Sequence, residues 1–504
     1  MAPQVPSIIL QTRQKFRTRV SFFHDQRHVL KYITLVVLIH NYILQNRFFV
    51  MDKDLLFKYN TPGPRYTSYP TVPYWQTTPP TQEKWKNLVK EAFTFSNHKE
   101  GISLYIHLPF CESLCTYCGC NTRITVNHAV ETKYINAVLK EWEMYFSIFG
   151  ETKPVIREIH LGGGTPTFFS PDNLTRLVKG LLKNADVHPK AQFGFEAHPG
   201  NTTDEHLQAL YNIGFRRISI GVQDFNPLVL AVINRHQTYE QVSHLTKKSR
   251  EIGYTSVNYD IVYGLPQQKT CYMMETMMKV IRLKPDRIAF YSYAHVPWIK
   301  PGQRNFTELD LPDPDKKMAI YETGRNALEL AGYKDIGMDH FALETDELYK
   351  AQMEQRLHRN FMGYTDTRTQ LLIGLGASSI SDTWTGYVQN EKKVEDYYKR
   401  IDKEEIPIIR GHELTKEDLI LRRHILNLMT QFETSWTASG EVCDEVYRAV
   451  ERLSEMEFDD LVVIKPYHLR VTEAGKPFVR NVCMAFDAKL WASLPQTALF
   501  SQTV

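Results

Sequence analysis

The middle of the chain alternates short apolar runs with longer segments whose apolar residues recur every three to four positions. Six of the runs predict β-strands, and they are Ile102–Phe110, Val155–Leu161, Phe193–Glu196, Arg217–Gln223, Ser256–Pro266 and Arg287–Tyr293. The segments between them predict helices, which include His128–Phe149, Pro171–Asn184, Thr203–Ile213 and Tyr239–Gly253. This alternation predicts an α/β fold in which a parallel sheet with right-handed crossovers forms a partial (β/α)6 barrel.

Three polar residues, a cysteine, a glycine and an alanine mark the C-terminal ends of these predicted strands. They are Cys111, Gly163, Glu196, Gln223, Asp260 and Ala294. In such a barrel the C-terminal strand ends surround one opening, and the residues that do chemistry lie there. We therefore expect these positions to share a single mouth.

The segments that flank the barrel follow other patterns. Pro62–Thr71 contains three prolines, a glycine and two tyrosines, so it predicts an extended, ordered arm, and a helix is predicted around Thr81–Ser96. Leu371–Ser381 is a glycine-rich return toward the mouth. A capped helix at Leu414–Phe432 and a hairpin within Leu461–Thr472 predict a small, mostly helical C-terminal domain that resembles a winged helix. We interpret it as a capping domain, because no basic patch for nucleic acid is apparent.

The first fifty residues differ in composition from the rest of the chain. They contain seven Lys or Arg and one Asp, and the remaining residues carry a net charge of about −3. Their apolar core, Ile33–Ile39, is far shorter than the roughly twenty residues that cross a bilayer. A signal or transit peptide is an open alternative, but we interpret 1–50 as a non-native upstream extension and Met51 as the native start. The predicted divisions are 1–50, the arm and helix over 51–100, the barrel over 101–384 and the C-terminal domain over 385–504.

Composition limits the classes of protein that fit. A chain of 504 residues with 43% hydrophobic and 23% charged residues is expected to fold as an ordinary globular protein of two or three domains. The net charge of +3 does not indicate a nucleic-acid partner, and we expect a monomer without stable membrane insertion. Three isolated cysteines, Cys271, Cys443 and Cys483, form no secretory disulfide framework, so a cytoplasmic location is expected.

The other four cysteines fall within ten positions, with the spacing C-x3-C-x2-C-x-C, and they are Cys111, Cys115, Cys118 and Cys120. Thiolates this close in sequence can converge on one metal centre, and iron–sulfur clusters are held by runs of this kind. Zinc is the competing metal, although structural zinc usually takes two separated pairs of ligands. Chance clustering of structural cysteines is the remaining alternative.

The spacing of the first three cysteines resembles that of the radical S-adenosylmethionine enzymes. Further motifs follow in order around it, namely PGPRYTSYPT, YIHLPFCESLCTYCGCN, GGGTPT, RRISIGVQDF, NRHQ, YDIVYGLP and YAHVP. Together they resemble the oxygen-independent coproporphyrinogen III oxidases of haem biosynthesis, from Met51 to near the C-terminus. The resemblance implies a radical SAM partial barrel with a 4Fe–4S cluster and two molecules of S-adenosylmethionine.

The resemblance also implies a role for each matching residue. The cluster would be held by Cys111, Cys115 and Cys118. The cluster-bound S-adenosylmethionine would be contacted by Tyr105, Gly163, Glu196 and Arg235. Further contacts around the cofactor pair would come from Tyr117, Gly164, Thr165, Gln223, Asp260, Ala294 and Ile380. A tight turn is the alternative for the two glycines, and a hydrogen bond at the barrel rim is the alternative for Asp260 and Gln223.

Two more residues are candidates for a catalytic role. Arg65 in the arm can pair with a substrate carboxylate, although a surface arginine packed on Tyr66 is the alternative. Cys120 is the cysteine in excess of the three cluster ligands, and its role is open.

The implied reaction is oxidative decarboxylation of two propionates of coproporphyrinogen III to vinyl groups, giving protoporphyrinogen IX. A 5′-deoxyadenosyl radical removes hydrogen from the propionate β-carbon, and an electron donor and an electron acceptor of unknown identity are required. A related haem chaperone, which binds and transfers haem, is the close alternative. The pair Cys120-Asn121 and the complete arm favour the enzyme. A zinc-stabilised binding module is a more distant alternative.

Overall fold

A twelve-stranded sheet forms the centre of the fold in the computed structural model, which describes residues 52–298, 300–437, 439–495 and 500–503. The strands of the described chain are β1 Ile102–Leu108, β2 Phe110–Cys111, β3 Arg123–Ile124, β4 Val155–Gly163, β5 Asp186–Ala197, β6 Phe215–Gln223, β7 Ser256–Tyr263, β8 Arg287–Ser292, β9 Lys334–Gly337, β10 His340–Ala342, β11 His358–Asn360, β12 Gly363–Thr365, β13 Leu372–Leu375, β14 Ile380–Asp382, β15 Gly386–Asn390, β16 Ile408–Glu413, β17 Glu433–Ser435, β18 Val462–Lys465 and β19 His468–Val471. The large sheet has the order β16-β15-β14-β13-β1-β4-β5-β6-β7-β8-β10-β9.

Its central strands, β1 and β4 to β8, are parallel neighbours that follow the order of the sequence. They correspond to the predicted strands, so the α/β fold with a partial barrel is confirmed. Strands covered on both faces need nearly continuous apolar runs. In β1 every residue except Tyr105 is buried.

Both edges of this parallel region are extended by strands that the sequence pattern did not predict individually. β13 pairs in parallel with β1, and β14 to β16 follow it with antiparallel pairing. The predicted return Leu371–Ser381 thus enters the sheet as β13 and β14. β15 and β16 continue the same sheet beyond residue 384, where the sequence predicted a domain boundary. That boundary stays a prediction.

Helices connect the strands and cover the sheet. The α-helices of the described residues are α1 Lys53–Tyr59, α2 Gln82–Ser96, α3 Val130–Phe149, α4 Pro171–Leu182, α5 Asp204–Asn212, α6 Pro227–Val232, α7 Tyr239–Ile252, α8 Thr270–Leu283, α9 Pro314–Leu330, α10 Glu347–Met353, α11 Val394–Asp402, α12 Lys416–Gln431, α13 Asp444–Arg452, α14 Ser454–Phe458, α15 Val479–Ala485 and α16 Ala488–Ala492. Capping boxes at Thr203 and Thr238 start α5 and α7, because the threonine hydroxyl accepts a hydrogen bond from a free backbone N–H of the first turn. Gly253, with φ +115°, ends α7 as a left-handed residue.

The main core lies between these helices and the sheet. The predicted apolar stripe of α3 is buried, including Tyr134, Trp142 and Phe149. The Trp85 indole N–H of α2 donates to the Tyr145 hydroxyl of α3 (3.3 Å). Full burial of a phenylalanine-sized side chain contributes roughly 1.5–3 kcal/mol relative to exposure, so this stripe fixes α3 on the sheet.

The predicted arm is ordered, and it is buried between the barrel and the C-terminal region. Tyr66 is 4% exposed and Tyr69 is 1% exposed. The Tyr66 hydroxyl donates to the Asp487 carboxylate (3.1 Å), and Trp75 stacks on Tyr387 with a ring-centroid distance of 5.3 Å. The arm therefore joins two parts of the fold.

The C-terminal region combines helices with a small antiparallel sheet of order β17-β19-β18. The predicted hairpin is confirmed as β18 and β19, and the predicted capped helix is confirmed as α12, which starts after Thr415. No helix in the described part of the chain has the length and apolar character needed to cross a membrane. The predicted extension, residues 1–50, lies outside the described residues.

Candidate active site

The cysteine loop begins where β1 ends, and its two ends are tied together. β2 and β3 pair so that Phe110 faces Arg123 and Cys111 faces Ile124. The tip of the loop is held by α6 and the residues after it, because Asn234 Nδ2 donates to the Leu114 carbonyl (2.8 Å). Backbone pairing at the base and a side-chain bond at the tip thus fix the loop at the barrel mouth.

Each predicted cluster ligand accepts a hydrogen bond on its sulfur. The Thr165 hydroxyl lies 3.4 Å from Cys111 Sγ, and the Arg235 guanidinium Nη1 lies 3.6 Å from Cys115 Sγ. The Cys120 backbone N–H lies 3.4 Å from Cys118 Sγ. Hydrogen bonds to a thiolate favour its charged form, which is the form that binds metal.

Burial and hydrogen bonding act on these thiols in opposite directions. Burial raises the pKa of Cys111 to about 11. The Cys120 thiol donates toward Cys118 and holds the pKa of Cys118 below its usual value. This contact gives Cys120 a place beside a ligand sulfur and leaves its role in the reaction a prediction.

Gly163 and Gly164 pack directly against the end of β1 and the start of the cysteine loop. Gly163 has φ +114°, and a Cβ there would lie 2.6 Å from His107 Nδ1. A Cβ on Gly164 would lie 2.7 Å from the Pro109 carbonyl oxygen, and the Gly164 N–H donates to the Leu108 carbonyl (2.8 Å). The packing of the chain itself therefore requires glycine at both positions, which agrees with the alternative that they form a tight turn. This requirement holds whether or not a cofactor also approaches them.

Glu196, at the end of β5, lies beside this glycine turn. Its Oε2 accepts from the Gly163 N–H (3.1 Å), and its Oε1 lies 3.5 Å from His160 Nε2. The Tyr105 ring stacks on His160 with a centroid distance of 6.1 Å, and the Tyr105 hydroxyl lies 3.2 Å from His107 Nδ1. Glu196 and Tyr105 thus belong to one polar group below the cysteine loop.

Asp260, near the end of β7, has fixed partners inside the barrel. Its carboxylate accepts from the Ser219 hydroxyl (3.1 Å) and from Asn258 Nδ2 (2.9 Å). Burial raises the pKa of Asp260 to about 6, and the nearby Glu196 carboxylate adds to this increase. Asp260 is thus an oriented hydrogen-bond acceptor with rim contacts, and its predicted contact with a cofactor stays a prediction.

Arg235 connects the cysteine loop to the barrel wall. Besides its contact with Cys115, its Nε donates to Gln237 Oε1 (2.8 Å) and its Nη2 donates to the Gly221 carbonyl. Arg235 is 7% exposed, so the side chain is held on several sides. Nearby Gln223 has φ +65°, which turns the chain at the end of β6.

Twelve of the predicted site residues line one cleft, whose space is about 1050 Å³ when its solvent opening is included. They are Cys111, Cys115, Tyr117, Cys118, Cys120, Gly163, Gly164, Thr165, Glu196, Gln223, Arg235 and Asp260. The structure therefore brings the cysteine loop and the ends of β4 to β7 to one place. A cleft of this size can take small-molecule cofactors.

The other predicted residues lie around this cleft. The carbonyls of Ala294 and Tyr117 accept from the same Gln303 amide (3.2 and 3.1 Å), so Ala294 is behind the cysteine loop. Ile380 is on β14, where it packs near Trp75. Arg65 lies outside the cleft lining.

Arg65 instead contacts the end of β8. Its Nη2 donates to the Ser292 carbonyl (3.2 Å), and its Nη1 lies 3.7 Å from the Asp339 carboxylate. These contacts replace the alternative of an arginine packed on Tyr66.

Sequence reasoning did not select several polar residues of the cleft, among them Ser219, Tyr291 and His198. Ser219 and Tyr291 precede the predicted ends of β6 and β8 and point into the barrel. Alternation along a strand could have identified them, because residues two positions apart share a face. His198 lies two residues after Glu196, so the same alternation could have identified it.

The chemistry of the donor set fits an iron–sulfur cluster. Three thiols from one short loop line one side of the cleft, with acceptors and a guanidinium beside them. In the described part of the chain, no three His, Cys, Asp or Glu side chains are close enough together to hold a single metal ion. A cluster instead takes one thiolate on each of three irons and therefore needs a wider spacing.

Comparison with known proteins agrees with this arrangement. Residues 105–280 match the radical SAM superfamily. A solved structure of coproporphyrinogen III oxidase from Escherichia coli, described as a radical SAM enzyme, has a TM-score of 0.81 and 34% sequence identity. The similarity covers 88% of this chain and all of that one.

Two relatives carry the name oxygen-independent coproporphyrinogen III oxidase. The protein of Salmonella typhimurium is 36% identical over 444 residues, which cover 87% of this chain and 95% of the relative. The protein of Escherichia coli K12 is 37% identical over 447 residues with the same coverage. At this identity and coverage, the chain belongs to the oxygen-independent coproporphyrinogen III oxidase family of radical SAM proteins.

Proposed function

We propose that this protein converts two propionate side chains of coproporphyrinogen III to vinyl groups without oxygen, giving protoporphyrinogen IX. The relatives named for this activity match the chain over nearly their whole length. The observation that carries the proposal is the meeting of three C-x3-C-x2-C cysteines with Glu196, Arg235 and Asp260 in one cleft. The names of the relatives support the enzyme rather than the haem chaperone.

The cleft supplies ligands for a 4Fe–4S cluster and acceptors for S-adenosylmethionine. Cys111, Cys115 and Cys118 would hold the cluster. The chemistry supplied by the bound groups is one-electron cleavage of S-adenosylmethionine to a 5′-deoxyadenosyl radical that can abstract hydrogen from a propionate β-carbon. The protein binds the reactants, aligns them and excludes water.

Charged and polar side chains of the cleft would orient the cofactor. Glu196 has one oxygen on the Gly163 N–H and can accept a further hydrogen bond from an amino group or a hydroxyl. Asp260 is fixed by Ser219 and Asn258, so its free lone pairs point in a set direction. Arg235 holds Cys115 against the barrel wall.

Substrate carboxylates require cations, and Arg65 is the cation that the sequence pattern singled out. Arg65 contacts Ser292, and the residue before Ser292 in the chain, Tyr291, lines the cleft. We propose that Arg65 pairs with a propionate at this edge of the cleft. Its partial exposure leaves it reachable from solvent.

We further propose a cytoplasmic monomer without a nucleic-acid partner. The net charge of +3 and the free thiols support this proposal. A reductant must supply the electron for cofactor cleavage, and an acceptor must take the electron left after decarboxylation. Both partners are defined here by that chemistry alone.

The test is an anaerobic assay with coproporphyrinogen III, S-adenosylmethionine, dithionite and an added electron acceptor. We expect two molecules of carbon dioxide for each protoporphyrinogen IX, identified after oxidation to the porphyrin. Cys115→Ala is the control and should give neither product nor cofactor cleavage. Haem binding by the wild-type protein with its cluster intact, but without decarboxylation, would overturn the proposal in favour of the chaperone.

A further inference from the structure

A second, narrow recess lies beside the cleft and is distinct from it. It is formed by the ends of β7 and β8, the turn between β9 and β10, helix α9 and the C-terminal region, and its lining includes Tyr263, Ser292, Asp339 and Arg480. Successive residues of a strand point to opposite faces. Tyr291 therefore lines the cleft, whereas Ser292 lines the recess.

Four cations lie at or beside the Asp339 carboxylate of this recess. Arg480 belongs to the lining, and Arg65 contacts Asp339 directly. Lys317 Nζ lies 5.9 Å from the ring centroid of the lining residue Tyr263, and Arg359 Nη2 lies 3.7 Å from Sδ of the lining residue Met338. Burial raises the pKa of Asp339, and the charges of Arg65, Arg480, Arg359 and Lys317 oppose the increase. The nearest measured contact is from Arg65 Nη1 to Asp339 Oδ2, at 3.7 Å. Asp339 balances one of these charges, and Asp335, the other carboxylate of the lining, pairs with Arg325 (3.3 Å), so a positive excess remains.

Arg480 already has partners that explain its position. Its guanidinium donates to the carbonyls of Pro64 and Gln502 (2.9 Å each), and also to Gly63 and Thr503. It therefore clamps the arm to the C-terminal segment. Its charge still contributes to the recess.

Arg359 and Lys317, in contrast, have unused donors. Arg359 is 6% exposed, and its Nε and Nη1 have no hydrogen-bond partner among the described residues, while Nη2 donates to the Arg65 carbonyl (3.2 Å). Within the same described set, Lys317 Nζ has only the Tyr263 ring, at 5.9 Å from its centroid. The buried Arg359 donors are costly without acceptors, and an arriving anion would satisfy them and pair with the half-buried Lys317.

We propose that this recess binds a propionate carboxylate of the tetrapyrrole, and specifically one that remains in the product. The inference rests on the proposed function. A flexible propionate carries one carboxylate on a short chain, which fits a narrow cationic recess, and arginine donors match carboxylate geometry. The recess lies on the other face of β8 from the cysteine cleft, so the carboxylate that it holds belongs to a different propionate from the one at the cleft. A site that keeps its carboxylate through both decarboxylations must hold one of the propionates that the product retains.

Two adjacent residues of β8 place the two sites next to each other, because Tyr291 lines the cleft and Ser292 lines the recess. Burial raises the pKa of Tyr291, and it is close enough to Asp260 in the cleft and to Arg65 at the recess for both charges to act on it. A substrate with four propionates around one ring system can therefore reach both sites at once. Anchoring one propionate in the recess would turn another toward the cysteine loop.

The test replaces Lys317 by methionine in the full-length protein. Methionine has a similar length and no charge, so we expect folding to be unchanged. Lys316→Met is the matched control, because Lys316 is the next residue on the same helix and its side chain is 72% exposed. Lys317→Arg should keep the charge and restore binding.

We expect Lys317→Met to weaken the binding of coproporphyrinogen III and of protoporphyrinogen IX by about tenfold each, the effect of losing one contact worth about 1.4 kcal/mol. Cluster absorbance and S-adenosylmethionine binding should not change, and Lys316→Met should match wild type. Unchanged affinity for both tetrapyrroles in Lys317→Met would overturn the inference. Weaker binding of the substrate with unchanged binding of the product would also overturn it, because the recess would then hold a reacting propionate.

The same measurements separate this inference from the proposed function. If the wild-type protein neither binds nor decarboxylates coproporphyrinogen III, the proposed function fails first. If the wild type does both and Lys317→Met behaves like the wild type, only the recess inference fails.

Discussion

Replacement of Gly163 by alanine tests whether the glycine turn, His107 and the cysteine loop form one rigid unit. The φ of +114° is a conformation that side chains rarely adopt, and a Cβ would lie 2.6 Å from His107 Nδ1. His107 is buried, and its Nε2 donates to the Asn121 carbonyl (2.9 Å), near the end of the cysteine loop. The ring therefore has little freedom to move away.

The expected cost combines a backbone effect and a steric effect. Holding a non-glycine residue in a disfavoured conformation costs roughly 1–3 kcal/mol. Forcing an extra methyl group into a packed site costs about 1–3 kcal/mol more, partly because His107 must give up its contacts with Asn121 and Tyr105. We expect Gly163→Ala to lower the free energy of unfolding by about 2–6 kcal/mol, the sum of the two effects.

Gly332→Ala is the matched control for the backbone effect. Gly332 also has a positive φ, +90°, but a Cβ there would meet nothing within 4 Å. Urea denaturation of both variants under anaerobic conditions, with iron measured per chain, separates the two effects. We expect Gly163→Ala to be less stable than the control by about 2 kcal/mol and to retain less iron.

Two results would refute this reasoning. Equal stability of the two variants would mean that His107 moves freely. A large loss of stability with a full complement of iron would mean that His107 does not position the cysteine loop.

Four further outcomes are expected. Alanine at any one of the three predicted cluster ligands should abolish iron binding and cofactor cleavage, whereas Cys120→Ala should keep the cluster, and equal loss of iron in all four would contradict the assignment. A protein that starts at Met51 should equal the full chain in activity and stability, and a clear loss in either assay would show that residues 1–50 belong to the protein. Arg65→Ala should weaken coproporphyrinogen III binding about ten- to a hundredfold, as expected for one charge-assisted contact worth roughly 1.5–3 kcal/mol, while cofactor binding survives. Turnover of this variant at the wild-type level would show that the arm contributes only packing. Burial raises the pKa of Asp487 to about 6, so the folded protein keeps this proton up to about pH 6, whereas the unfolded chain loses it near pH 4. The free energy of unfolding should therefore fall by about 3 kcal/mol as the pH rises through this window. Asp487→Asn should remove that decrease when denaturation is measured at each pH.

The central part of the fold could be predicted because its signal is local. Each parallel strand contains a short stretch rich in apolar residues, and polar residues such as Glu196 and Asp260 lie in the C-terminal halves of these strands and line the cleft. Helix α3 has one buried stripe, so its periodicity predicted its end at Phe149 and its inner face, whereas it starts at Val130, two residues after the predicted start. The cysteine spacing gave the loop at the mouth for the same reason, since all its members lie within ten positions.

The extensions of the sheet could not be predicted in the same way. β14 and β10 have three residues each, which is too short for a clear periodic pattern. Their pairing depends on neighbours far away in sequence, as when Leu372 enters beside Ser103. The recess could not be predicted either, because Asp339, Lys317 and Arg359 come from three separate elements and none of them belongs to a recognisable motif.

The structure changes the interpretation of the arm, because it shows which distant residues hold it. Its composition predicted an extended, ordered segment, and distant contacts hold that segment in place: Asp487, 421 residues later, holds Tyr66, and Arg480, 416 residues later, holds Pro64. A segment fixed by buried contacts of this kind does not open and close as a lid does, because each opening would leave Asp487 and Arg480 buried without partners. Arg65 is therefore positioned by the C-terminal region, which also supplies Arg480 to the recess. We therefore propose that the C-terminal region helps to build the edge of the active site that binds a substrate carboxylate.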